Sequence, residues 1–438
     1  MKQIYVILAF LGGFILPSNS SKAQLIKSSI ALMPPVKAAI DSSKTDSVLL
    51  QILQQHLPYF DSSLFNKNVR NVQIVYTQID RGANGIAAFK TYVLNNDPKK
   101  YFYPASAVKL AICLLALQKL NELKQPGLDK FCTMITGQAS PNQTPVYNDP
   151  TTPEGKPTIA QYIKKILLVS DNDAYNRLYE FLGSGYINEQ LVQKGYKSAQ
   201  ILHRLNINLS AVENRVSNPI SFYNNSNQVI YQQPMLTDTT TYATRTDAVG
   251  KAFYIQDSLV NTAMDFSQKN RISLTDMHNI LLSLVFPEKT PAAQRFNLTA
   301  DDRNFMLKYM SQLPTESTSP PYALDTIHYW PTYAKFLLFG AQKDSLPKNI
   351  RSFNKVGDAY GQLTDVAYIV DFEKKVEFAL SCTIYCNSDG ILNDDKYDYD
   401  TIGLPLMQQV GKAVYDYEIA RKKINLPDLN PIKFSYDK

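Results

Sequence analysis

Apolar residues recur along this chain with two periods, and the order in which those periods alternate predicts its fold. Residues 46–57 carry apolar side chains at helical spacing, and two alternating segments, 72–80 and 85–95, follow. The joining residues Arg81-Gly82-Ala83-Asn84-Gly85 are turn formers, so the pattern predicts a helix and then a hairpin. A helix over 109–123 comes next, apolar almost throughout 110–117, which predicts burial on most of its sides. Another is expected over 158–169, broken at Ser170-Asp171-Asn172 and resuming over 173–182 until Gly183 stops it. The stretch 223–268 is rich in Asn, Thr, Gln and Tyr and reads as an inserted loop region. Helical spacing returns over 273–285 and 299–313. Segments 353–357, 365–371 and 376–385 read as strands, with a tight turn at Glu373-Lys374, and 404–422 as a closing helix. This order predicts an α+β fold, an antiparallel sheet built from both chain ends plus a helical subdomain.

The amino terminus changes the picture of where the chain works. Lys2 supplies a positive charge, 4–16 an apolar run, and Ser21-Lys22-Ala23 a cleavable site before Gln24, which predicts an export signal over 1–23 and a linker over 24–45. That run is shorter than the roughly 20 residues of a membrane span. The remaining chain, 46–438, is therefore expected to be exported, periplasmic or extracellular, without membrane insertion. The net charge of +6 is spread without a basic run and the chain has one Trp, so neither a nucleic-acid groove nor a membrane-binding helix is expected. Cys113 and Cys132 are open to pairing or to burial as free thiols; Cys382 and Cys386, four apart on a strand, lie about 13 Å apart and cannot pair with each other. His56, His203, His278 and His328 fall in no zinc-binding spacing, so no metal or cofactor is expected. No GxSxG elbow occurs, although a Ser-His-Asp triad of separated residues stays open.

Three short motifs stand in order: Ser106-Ala107-Val108-Lys109, Ser170-Asp171-Asn172 and Lys355-Val356-Gly357. SxxK recurs at Ser345 and at Ser352, so four residues match readily by chance, but only Ser106 opens the most apolar helix; Pro347 interrupts any helix at Ser345, and Ser352 leads into a strand. Residues three apart on a helix share a face, which lets the Lys109 amine reach the Ser106 hydroxyl. The amine is a base only when neutral, a state favoured by burial and by a nearby cation such as Lys355. Read singly, Ser106 is a helix cap, Ser170-Asp171-Asn172 a capping turn, and Lys355-Val356-Gly357 a strand end. Their joint occurrence on a helix start, an interhelical turn and a strand favours chemistry.

The set resembles the serine β-lactamases, class A in particular, and the related D-alanyl-D-alanine peptidases of the penicillin-binding protein superfamily, with their SxxK, SDN and KTG signature. Residues 358–367 are similar to the turn and strand after KTG, and 158–183 to the helices flanking SDN. The resemblance implies a catalytic domain over 46–438 that transfers an acyl group, through an acyl-serine, from a small β-lactam or a peptidoglycan-peptide-like amide. It makes Ser106 the nucleophile, Lys109 its base, Ser170 a proton relay, Asn172 a ligand for the substrate amide, and Lys355 a source of positive potential for a substrate carboxylate. Gly357 completes the strand motif, and the backbone N–H of Asp358 becomes the second oxyanion donor beside that of Ser106.

Two departures bear on that implication. Val356 stands where KTG has a hydroxyl, which removes one hydrogen bond to a β-lactam carboxylate. Class A enzymes also carry a deacylating glutamate in the loop after SDN; 203–209 aligns with that loop and places Leu209 at the glutamate position, leaving Glu213 as the candidate base if the loop is shifted, or else as a surface charge near Arg215. The alternatives are therefore a slowly deacylating or non-hydrolytic penicillin-binding or cell-envelope module, or a D-alanyl-D-alanine peptidase.

Overall fold

In the computed structural model, residues 42–57, 65, 69–343 and 346–437 are described; the expected export signal, residues 24–41 of the expected linker, and Ser345 lie outside them. In chain order the main elements are helix α1 (Ser47–His56), hairpin strands β1 (Gln73–Arg81) and β2 (Ala87–Leu94), and helices α2 (Lys109–Leu123), α3 (Ile159–Val169), α4 (Asn172–Leu182), α5 (Ser184–Gln193), α6 (Leu274–Val285) and α7 (Ala300–Ser311). Strands β3 (Ile350–Ala359), β4 (Gln362–Asp371) and β5 (Val376–Tyr385) and helix α8 (Leu404–Ala420) follow. The five strands form one antiparallel sheet in the order β3-β4-β5-β1-β2, so the two chain ends meet where β5 pairs with β1. This is the α+β architecture expected from the pattern.

Helices cover both faces of the sheet. Strand β4 turns Val366, Tyr368 and Val370 to the face shared with α2, α3, α4 and α6, and Ala367 and Ile369 to the face shared with α1 and α8. Every residue of β4 is buried, which is why it lacks the apolar-polar alternation of a half-exposed strand. Helix α2 runs through the larger core with Leu110 through Leu117 all buried.

Several buried polar groups tie the sheet to its surroundings. The Asp365 carboxylate accepts from the N–H groups of Phe336 and Leu337 and from Asn354 Nδ2 (3.1, 2.9 and 2.8 Å). Lys335 Nζ donates to Asn354 Oδ1 and to the carbonyls of Met310 and Ser352 (2.7, 2.6 and 3.0 Å). These bonds hold segment 332–341 against β3 and β4.

Four differences from the expected pattern have physical causes. Strands β3 and β4 are longer than 353–357 and 365–371, because polar residues such as Thr364 are satisfied inside the sheet, its hydroxyl bonded to that of Thr383 at 2.9 Å. Gly183 does end α4, at φ 76°, but α5 starts at the next residue. The stretch 223–268 holds short strands rather than loop alone: Ala252–Ile255 pairs with Ser258–Val260 and, in parallel, with Ile391–Leu392. Strands this short and this polar leave no periodic trace. The pairing of Cys113 with Cys132 does not form; all four cysteines are free and buried.

Helix α8 packs so closely on segment 332–341 that a Cβ on Gly411 would run into the Leu338 backbone. Ala is ordinarily worth about 1 kcal/mol over Gly in a helix interior. Gly411→Ala is nevertheless expected to destabilise the protein by about 1–3 kcal/mol, the usual cost of overpacking, as read from urea and thermal melts.

Candidate active site

The turn that carries Ser106 is built before α2 begins. Ala105–Val108 form a single 3₁₀ turn, and the regular helix starts at Lys109. In 3₁₀ geometry residues i and i+3 eclipse, so Ser106 and Lys109 keep the shared face that the motif requires. Ala105 sits at φ 46°, a left-handed conformation that costs a non-glycine residue about 1–2 kcal/mol. Packing opposes that cost: Ala105 is buried with Tyr103, Val249, Phe266 and Leu392.

Strand β3 closes on this turn through Gly357. A Cβ there would lie 2.5 Å from the Pro104 carbonyl oxygen, 2.6 Å from the Ala107 nitrogen and 3.0 Å from the Ser106 nitrogen. Only glycine lets the strand approach the nucleophile turn so closely. The edge position of β3 leaves its outer N–H groups without a ladder partner, a feature that Asp358, the next residue, shares with the amino-terminal turn of α2.

Ser170 links the other two motifs. It ends α3 in the left-handed region, at φ 61°, and Asp171 caps α4 by accepting from the Ala174 N–H. The Lys109 amine donates to the Ser170 carbonyl oxygen at 2.5 Å and to Asn172 Oδ1 at 2.7 Å. Lys355 Nζ donates to the Ser170 hydroxyl at 2.8 Å and to the Val356 carbonyl at 2.7 Å. Both lysines are buried. Burial first, and the Lys355 charge second, hold Lys109 far below the usual lysine range, against the pull of Asp171 and Asp358. Burial also brings Lys355 down to about 8, with Asp358 opposing.

This arrangement has a chemical consequence. Lys109 Nζ lies within hydrogen-bond reach of the Ser170 carbonyl and of Asn172 Oδ1, and at 3.4 Å of the Ser170 hydroxyl. Once it has lost its proton, an amine has a lone pair that can accept one from a hydroxyl on the same face of the turn. Ser170 accepts from Lys355, so its own O–H is free to donate, and Asn172, its oxygen occupied, presents its NH₂ group.

Glu213 is not brought to this cluster. It lies in the helical turn Ala211–Asn214, where its carboxylate accepts from the Ser210 N–H at 2.7 Å and from Asn142 Nδ2 at 2.5 Å. The hydrogen bond from Asn142 and the capping contacts with Ser210 pull its carboxyl down to about 2, the wrong direction for a general base. The signal in the sequence was the capping box Ser210 to Glu213, which explains a glutamate there without catalysis.

The pattern of apolar and polar residues did not reveal how the cleft wall is made. Loop 203–215 is pinned to α4: Asn176 bonds both the N–H and the carbonyl of Leu205, and buried Glu180 pairs with Arg204 and Arg177. His203 stacks on Tyr103, its centroid 6.2 Å away at an interplanar angle of 5°. Phe266, from the insertion, stands 5.6 Å from Tyr103 and 5.2 Å from Tyr360. Three segments remote in sequence thus support the residues just before Ser106.

Gly357→Ala is expected to lower the melting temperature by several degrees, because the strand must retreat from the turn; an unchanged melt would show that the two are not in contact.

Residues 62–418 match the Beta-lactamase enzyme family. No curated protein matches the sequence. Solved structures to which the chain is similar include a β-lactamase from Sphaerobacter thermophilus (11% identity, TM-score 0.45, covering 85% of this chain and 97% of that one). Others are an ancestral class A β-lactamase (13%, TM-score 0.46, 84% and 100%) and a protein described as PBP-A (14%, TM-score 0.44, 84% and 95%). The family match spans most of the chain and contains all three motifs, and this chain therefore belongs to the Beta-lactamase enzyme family.

Proposed function

We propose that the protein is an exported serine hydrolase that takes the acyl group of a β-lactam or a peptide-like amide onto Ser106. The observation that carries this reading is the Lys109 amine, one turn from Ser106, buried, bonded to Ser170 and Asn172, and held well below the usual lysine range by burial and by Lys355. As Lys109 takes that proton, Ser106 Oγ bonds the carbonyl carbon, and the N–H groups of Ser106 and Asp358 receive the oxyanion. Lys109 returns the proton through the Ser170 hydroxyl, 3.4 Å away, to the leaving nitrogen, and the carbon–nitrogen bond breaks. Asn172 Nδ2 holds the amide carbonyl of the substrate.

Release of the acyl group is a separate step, and it is slow in this proposal. Residues 203–212 contain no Asp or Glu, and Glu213 is spent on a cap. A long-lived acyl-enzyme, transferred to water or to another acceptor, fits that loop better than rapid β-lactam turnover.

A fluorescent penicillin or penicillin ester should label the wild type and not Ser106→Ala; equal labelling of the two would remove Ser106 as nucleophile. The acylation rate should follow a bell in pH. It falls on the acid side as Lys109 gains a proton, and on the alkaline side through about 8, where Lys355 loses its own and no longer donates to Ser170. A rate still climbing toward the ordinary lysine range would mean that Lys109 is not the base.

A further inference from the structure

Asp358 is the unusual charge of this site. It follows Gly357 on edge strand β3, so its backbone lies against the nucleophile turn, and its side chain is exposed while Lys355 and Val356 before it are buried. Among the described residues its carboxylate makes no hydrogen bond or ion pair. Desolvation raises its carboxyl above the usual carboxylate range, with the charges of Lys355 and then Lys109 opposing, and its own charge adds to the burial that raises the phenols of Tyr333 and Tyr399. Tyr399 is fixed at the β3–β4 turn by the bond it accepts from the Gly361 N–H, at 2.9 Å.

Resting on the acyl-transfer reading above, we infer that Asp358 sets the charge specificity of the site: it turns away acyl donors that carry a carboxylate beside Lys355 and favours donors that carry an ammonium there. Three observations combine. The exposed charge at the cleft is negative, and the positive charge of Lys355 is withdrawn into the protein and bonded to Ser170 and to the Val356 carbonyl. Val356 is turned into the core beside Phe336 and Leu337, so that position offers an anion no hydroxyl. The Asp358 charge couples to the phenols of Tyr333 and Tyr399 and to no further cation beyond the two buried lysines, which suits an ammonium rather than an anion. A unit charge about 6 Å from Asp358, at the effective dielectric of a partly buried site, changes a rate by roughly tenfold or more.

The test uses one scaffold with three charges: benzylpenicillin, its methyl ester and its 2-aminoethyl ester, each followed as the rate of the Ser106 adduct by mass spectrometry, in the wild type and in Asp358→Asn. In the wild type the ammonium ester should react fastest and the carboxylate slowest. In Asp358→Asn the carboxylate should gain roughly tenfold relative to the methyl ester, and the ammonium ester should lose a similar factor. Unchanged ratios overturn the inference, as does a uniform slowing of all three, which would mean that Asp358 acts only through the backbone or the fold. No Ser106 adduct from any of the three is a failure of the acyl-transfer reading, not of the charge assignment; adducts in the wrong order are the reverse.

Discussion

Lys109 and Lys355 arrive from a helix and from a strand that are far apart in the chain, and both end on Ser170, inside protein and away from water. Two ammonium groups cannot share such a site at neutral pH, because desolvation and mutual repulsion both act against the second charge. The structure resolves the conflict by position. Lys355 donates to a hydroxyl and a carbonyl and keeps a pKa of about 8, whereas Lys109, equally buried and repelled by the Lys355 charge, is pushed much further down. The remaining features of the site follow from holding those two amines in place: the left-handed Ser170, the cap at Asp171, and the glycine that lets β3 reach the nucleophile turn.

The scaffold around this pair is heavily reinforced. Edge strand β3 alone would be a poor platform, since one of its sides lacks a partner strand. Asp365, Asn354 and Lys335 stitch it to segment 332–341, and Gly411 lets α8 lock that segment from behind. On the other side of the cleft, Glu180 and Asn176 clamp loop 203–215 to α4. The strain stored at Ala105 is tolerated because Tyr103, Phe266 and Tyr360 pack around it, and one of those three comes from the insertion. The polar stretch 223–268 is thereby part of the wall that supports the nucleophile turn.

Much of the fold was legible in the sequence because it is written in local periodicity. The helix at 109–123, the break at Ser170-Asp171-Asn172 and the strand at 376–385 each follow from spacing, caps or turn formers. What went unseen was non-local. Thr364 and Gln362 do not look like a strand until their partners on β5 are known, and α5 is hidden because its start abuts the end of α4. Within the insertion, strand 252–255 also pairs with 391–392, more than a hundred positions away.

The site divides in the same way. That Lys109, Ser170, Asn172 and Lys355 meet, with Gly357 against the Ser106 turn, was foreshadowed by residue type and spacing, since an i, i+3 relation on a helix start and an SDN turn have geometric meaning within a few residues. Glu213 was an acid at a plausible distance in sequence, and only the folded loop showed its carboxylate taken up by the Ser210 cap and by the bond from Asn142. The state of the amines was likewise beyond the sequence. Protonation depends on how much water is excluded and on which charges face one another across the cleft, and both are properties of the packed tertiary structure rather than of any segment within it.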